Sequence, residues 1–109
     1  MASVLVALLS ASASCAAATP PPDRPVPPSE PRATLDVMLD LPRRVGCEDA
    51  FDLTLYENRG IDLIEWQGGS TNDCTARHAK IRFLPKRLSR EKTVALIKGA
   101  AVKMEIVGP

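Results

Sequence analysis

At 109 residues the chain has room for one domain and a leader. Its net charge of +1 supplies no long-range field to draw in nucleic acid or an anionic membrane surface. Aromatic residues make up 4 %, too few for the stacking platforms of RNA-binding sheets.

The first eighteen residues carry no charged side chain. Val4 to Leu9 is a short apolar stretch, and Ser10 to Ala18 are small residues. That is the shape of an export signal, too short and Ser-rich for a spanning helix. Two cleavage readings stay open. Ser12-Ala13-Ser14-Cys15 resembles the lipobox of bacterial lipoproteins, which makes Cys15 the lipidation site and the membrane a partner through the lipid anchor. Ala16-Ala17-Ala18 alternatively forms an A-x-A site, with Thr19 starting the mature chain. Either way the chain is expected in the cell envelope or periplasm, with Cys47 and Cys74 as its remaining thiols. An even pair of thiols in an exported protein points to a disulfide.

Residues 19–33 carry seven prolines. Such a segment favours extended polyproline-type chain and reads as a semi-rigid linker. Residues 34–109 are expected to form the domain. Leu35, Val37, Leu39 and Leu41 alternate with Thr34, Asp36, Met38 and Asp40, the period of a half-buried strand. Pro42 to Gly46 reads as a loop. A helix is expected over Cys47–Tyr56, with Glu48, Asp49 and Asp52 suited to its positive end and Phe51 and Leu55 inward at i, i+4. Asn58-Arg59-Gly60 closes it, with Gly60 expected as a left-handed exit.

A second strand is expected over Ile61–Gln67, a loop over Gly68–Asp73, and a third strand over Ala76–Leu84 with Ala79, Ile81 and Phe83 inward. Ser89 suits the N-cap of a second helix, with Val94, Ile97 and Ala101 as its apolar stripe. Val102, Met104 and Ile106 mark the last strand. Elements in the order βαββαβ predict an α+β ferredoxin-like two-layer sandwich, an antiparallel sheet with two helices on one face. The first and third strands are then central neighbours, with Asp36 and Asp40 near Lys80 or Arg82 on the open face.

On these residues the domain resembles the heavy-metal-associated (HMA) domain of copper chaperones, metal-pumping ATPases and periplasmic mercury-binding proteins. Gly60-Ile61-Asp62-Leu63-Ile64-Glu65-Trp66 is similar to the family's G-V-x-x-V-x-V run. Ile81-Arg82-Phe83-Leu84-Pro85 is similar to its V-x-Y-D-P, and Leu88-Ser89, Val94 and Ile97 to its second-helix signature. The resemblance implies a two-thiolate site for a soft cation such as Cu(I), from M-x-C-x-x-C on the loop into the first helix. Cys47, thirteen residues before Gly60, falls on the second Cys of that motif. Arg44 then stands at the first Cys and Pro42 at the Met, so the metal motif is degenerate.

In the plait the first loop and the hairpin between strands two and three share one end of the sheet, so Cys47 and Cys74 can meet. Three readings of the pair stay open: a structural disulfide, a two-thiolate metal site, and a redox pair. His78 reads as an exposed, solvated side chain, and Trp66 and Phe83 as core. Ser70, Asn72 and Asp73 lack the ligand spacing of a Ca²⁺ loop. The sequence holds no Ser/His/Asp arrangement, no phosphate-cradling glycine loop and no carboxylate dyad, so no catalytic residue is assigned. The expectation is a binding domain rather than an enzyme, with no cofactor and an envelope protein as partner. The alternative is an envelope Cu(I)-type carrier using Cys47 and Cys74.

Overall fold

The alternation of the first strand sets the layering. In the computed structural model, which describes residues 25–69, 71 and 73–108, β1 (Ala33–Asp40) buries Leu35, Val37 and Leu39 and turns the residues between them to the other face. The export signal, Cys15, residues 19–24 of the proline-rich segment, Ser70 and Asn72 lie outside the described residues. The element order is β1, α1 (Cys47–Tyr56), β2 (Ile61–Trp66), β3 (Arg77–Phe83), α2 (Arg90–Ala100) and β4 (Lys103–Gly108). The four strands form one sheet in the order β2-β3-β1-β4, every neighbouring pair antiparallel. This is the ferredoxin-like βαββαβ sandwich, with β1 and β3 at its centre.

Each central strand sends alternate side chains towards the helices. Ala79 and Ile81 are fully buried on β3, and Phe83 nearly so. Phe51 and Leu55 of α1 and Ile97 of α2 meet them in one core. Thr93, also fully buried on α2, satisfies its hydroxyl by donating to the Ser89 carbonyl at 2.8 Å. Ser89 caps α2 as expected, its Oγ accepting from the Lys92 amide at 3.1 Å.

β2 departs from strict alternation. The register shifts between Ile61 and Leu63, so Asp62 is an extra residue in the strand. That bulge lets Ile61 and Ile64 both be buried, while Leu63 and Glu65 oppose Arg82 and Lys80 on the open face. Asp62 accepts from Arg82 Nε at 2.6 Å and from Arg32 Nε at 3.1 Å. Burial opposes its ionisation, but these two guanidiniums prevail and hold its carboxyl below the usual range. Arg32 also donates to the carbonyls of Pro27, Pro28 and Glu30, and Arg87 forms a two-bond ion pair with Glu30. The ion pairs Arg32–Asp62 and Glu30–Arg87 thus tie the last residues of the proline-rich segment to the domain.

Three expectations need correction. Gly60 is not a left-handed exit: positive φ among the described glycines occurs at Gly46, Gly68 and Gly69. Gly60 is required instead by close approach, since a Cβ there would lie 2.3 Å from Leu88 Cβ. The left-handed residue of α1 is its N-cap, Gly46, at φ 72° and ψ 33°. Asp40 does not approach Lys80 or Arg82; it sits at the end of β1, where its Oδ1 accepts the Ala76 amide at 2.8 Å. Asp36 does oppose Lys80, and the His78 Nε2 lies 3.3 Å from Asp36 Oδ1. His78 is therefore half-buried beside a carboxylate, because β3 runs through the middle of the sheet.

Candidate functional site

The loop between β1 and α1 and the hairpin between β2 and β3 meet at one end of the sheet. The hairpin is stitched to β1 by the Leu41 amide, which donates to the Cys74 carbonyl at 2.7 Å, and by the Asp40–Ala76 bond. This registry places Cys74 over the first residue of α1, Cys47. Their sulfurs are 2.13 Å apart and their Cα atoms 5.9 Å apart, a disulfide bridge across 27 residues. Cys47 is buried in the core, whereas Cys74 is partly open. Its sulfur lies 3.5 Å from the Arg44 carbonyl oxygen. Closing such a loop contributes roughly 3–4 kcal/mol by restricting the unfolded chain.

Beside the bridge lies an open cleft of about 530 Å³ lined by Arg43, Arg44, Val45, Asp73, Cys74 and Thr75. Both arginines are exposed, and Val45 is 97 % exposed. The residues do not fit the two-thiolate motif of the resembled family. Arg44, whose guanidinium cannot ligate a cation, stands at the first-Cys position, and the two sulfurs that remain are bonded to each other. No group of three or more His, Cys, Asp or Glu side chains is arranged to hold a metal ion among the described residues.

Beneath the cleft is a charge network that the sequence reading missed. Glu48 suits the dipole of α1 in sequence, yet it is buried at 2 % exposure. Its carboxylate accepts from Arg77 Nε and from the Thr71 amide at 2.9 Å. Arg77 in turn donates to the Gly69 carbonyl at 2.8 Å and stacks 5.8 Å from the centroid of the Trp66 ring. The network ties the start of α1 to both sides of the hairpin. The one available signal is Arg77 itself, whose parity with Ala79, Ile81 and Phe83 turns it to the helix-covered face at the start of β3.

Trp66 packs edge-on to Phe51 at 5.5 Å, and its Nε1 donates to Asp52 at 3.0 Å. Burial pushes the Asp52 carboxyl up to about 6, the Trp66 hydrogen bond offsets part of this, and Asp49 and Glu48 add repulsion. Because the folded state holds this proton more tightly than the unfolded chain, stability is gained as the pH falls from 6 towards the ordinary value of 3.8. Above pH 6 the charged carboxylate opposes folding. Asp52→Asn keeps an acceptor for Trp66 and removes the charge. It is expected to raise stability at pH 8 by on the order of 1 kcal/mol, allowing for solvent screening of this half-exposed group. The gain should vanish near pH 4, and urea denaturation at the two pH values measures it.

The fold and this bridged end define a ferredoxin-like α+β domain with a Cys47–Cys74 disulfide at one end of its sheet. No protein-family model, no curated protein and no solved structure matches the chain.

Proposed function

We propose that the protein is an exported, lipid-anchored binding domain of the cell envelope, built on a scaffold resembling the heavy-metal-associated domain with its metal site replaced by a bridge. The observation that carries this reading is the Cys47–Cys74 bridge, with the Arg44 carbonyl 3.5 Å from the Cys74 sulfur. Oxidised sulfurs offer no thiolate to a soft cation, and an oxidising compartment preserves them. The site is then a structural clamp. It fixes a cleft whose exposed Arg43, Arg44 and Val45 offer charge and apolar contact to an envelope protein. Nothing in this role requires catalysis. Lipidation of Cys15 and the proline-rich segment behind it would tether the domain to a membrane and space it from the surface.

The test has two arms. Membrane fractionation of the expressed protein should find it in the membrane, and Cys15→Ser should release it to the soluble fraction. A mature chain that begins at Thr19 by mass spectrometry, with localisation unchanged by the substitution, overturns the anchor. In the second arm, the protein isolated under air should have no titratable thiol at Cys47 or Cys74 and should bind no Cu(I). Reduction should lower its melting temperature without releasing metal. Stoichiometric Cu(I) bound through the two thiols of the native protein would instead establish the carrier reading.

A further inference from the structure

The two outer strands of the sheet are finished differently. On β2 the Ile64 amide, which points away from β3, is taken by the Tyr56 hydroxyl at 2.7 Å. The bulge at Asp62 further breaks that edge. Both are devices that keep an edge strand from pairing with another chain. The other edge, β4, has a bulge of its own at Val107, where the register with β1 shifts between Ile106 and Gly108, but along Lys103–Ile106 its register is unbroken and no helix side chain takes a backbone amide among the described residues. The helix layer also covers it poorly. Val102, leading into the strand, is 70 % exposed, Ile106 is 39 % and Val107 is 48 %.

The geometry points to a second copy of this chain as the occupant of that edge. We propose that two copies pair antiparallel through β4, about a two-fold axis at Met104, merging their sheets. The register follows from charge. In antiparallel pairing, directly opposed residues lie on the same face, so a two-fold axis at one residue pairs its neighbours on either side. An axis at Lys103 sets two lysines against each other, and an axis at Glu105 sets two glutamates. Both oppose like charges at the centre of the contact. An axis at Met104 opposes Lys103 to Glu105 of the second copy, twice. It also opposes Val102 to Ile106 of the second copy, twice, on the helix-facing side. An axis at Ile106 gains no charge pair. The strand is therefore self-complementary in one register, and the side chains that register covers are the ones the single copy leaves bare. Within one copy Lys103 opposes Asp40, so its charge is shared with β1, whereas Glu105 opposes the uncharged Met38 and is left to the second copy.

Sedimentation of the purified full-length protein, up to millimolar concentration, tests this by charge reversal. The unaltered protein should dimerise. Lys103→Glu and Glu105→Lys should each convert two attractive pairs into two repulsive ones, raising the dissociation constant roughly thirty-fold. The double variant should recover the dimer, and so should an equimolar mixture of the two single variants. Recovery in the mixture also establishes that the single variants are folded. A protein that stays monomeric throughout overturns the proposal. So does a dimer that both single reversals leave unchanged, or single variants whose loss neither the mixture nor the double variant repairs.

Discussion

Arg77→Met is expected to destabilise the domain by about 3–5 kcal/mol, because it leaves the Glu48 carboxylate buried without its cation. Glu48 sits in the first turn of α1, and its other partner is the Thr71 amide, a neutral donor. Methionine preserves much of the aliphatic bulk against Trp66, so the loss reports the charge rather than the packing. Companion variants separate the two. Glu48→Gln with Arg77→Met removes both charges and should recover a large share of the stability, since a neutral pair leaves no uncompensated charge. Urea denaturation of the two variants decides it. A single variant that loses less than the double one would mean that water reaches Glu48 and that the pair is not the clamp described. The result bears on the cleft, because this ion pair supports the hairpin that carries Asp73, Cys74 and Thr75.

Gly60→Ala is the second large effect. The added methyl would meet Leu88 Cβ at 2.3 Å, and that atom is fixed to its own backbone. Neither side has room to retreat. The Gly60 carbonyl accepts the Leu84 amide at 2.8 Å, its own amide is held by Asn58 Oδ1 at 2.8 Å, and Leu88 donates its amide to the Leu84 carbonyl at 2.9 Å. Overpacking of this kind costs about 3 kcal/mol. For a domain of this size the melting temperature should fall by roughly 12–24 °C. Leu88→Ala does not relieve this, since alanine retains the Cβ, whereas Leu88→Gly in the Gly60→Ala background removes the opposing atom. A melting temperature unchanged by Gly60→Ala would show that the turn after β3 moves freely, contrary to its hydrogen bonds.

The elements that alternate strongly were legible in the residues. Leu35, Val37 and Leu39 fix the face of β1, and Ala79, Ile81 and Phe83 that of β3. Both strands lie in the middle of the sheet, where one wholly buried face leaves no other register. Ser89 marked the start of α2 because the chemistry of an N-cap is local. The order of these elements, with two helices to cover one face, was enough for the plait. It was also enough to bring Cys47 and Cys74 to one end.

Tertiary structure decided the remainder. Gly60 looks like a helix exit in sequence, and only the passage of Leu88 above it reveals a steric requirement. Glu48 fits the dipole of α1 in sequence, and only the hairpin brings Arg77 and Thr71 to bury it. The bulge at Asp62 arises because Ile61 and Ile64 both find the core, which no strict period of two allows. Val102, Met104 and Ile106 carry the alternation of a covered strand, yet β4 lies at an edge that the helices do not fully reach. A period in sequence states which side chains share a face; how completely that face is covered depends on elements distant in the chain.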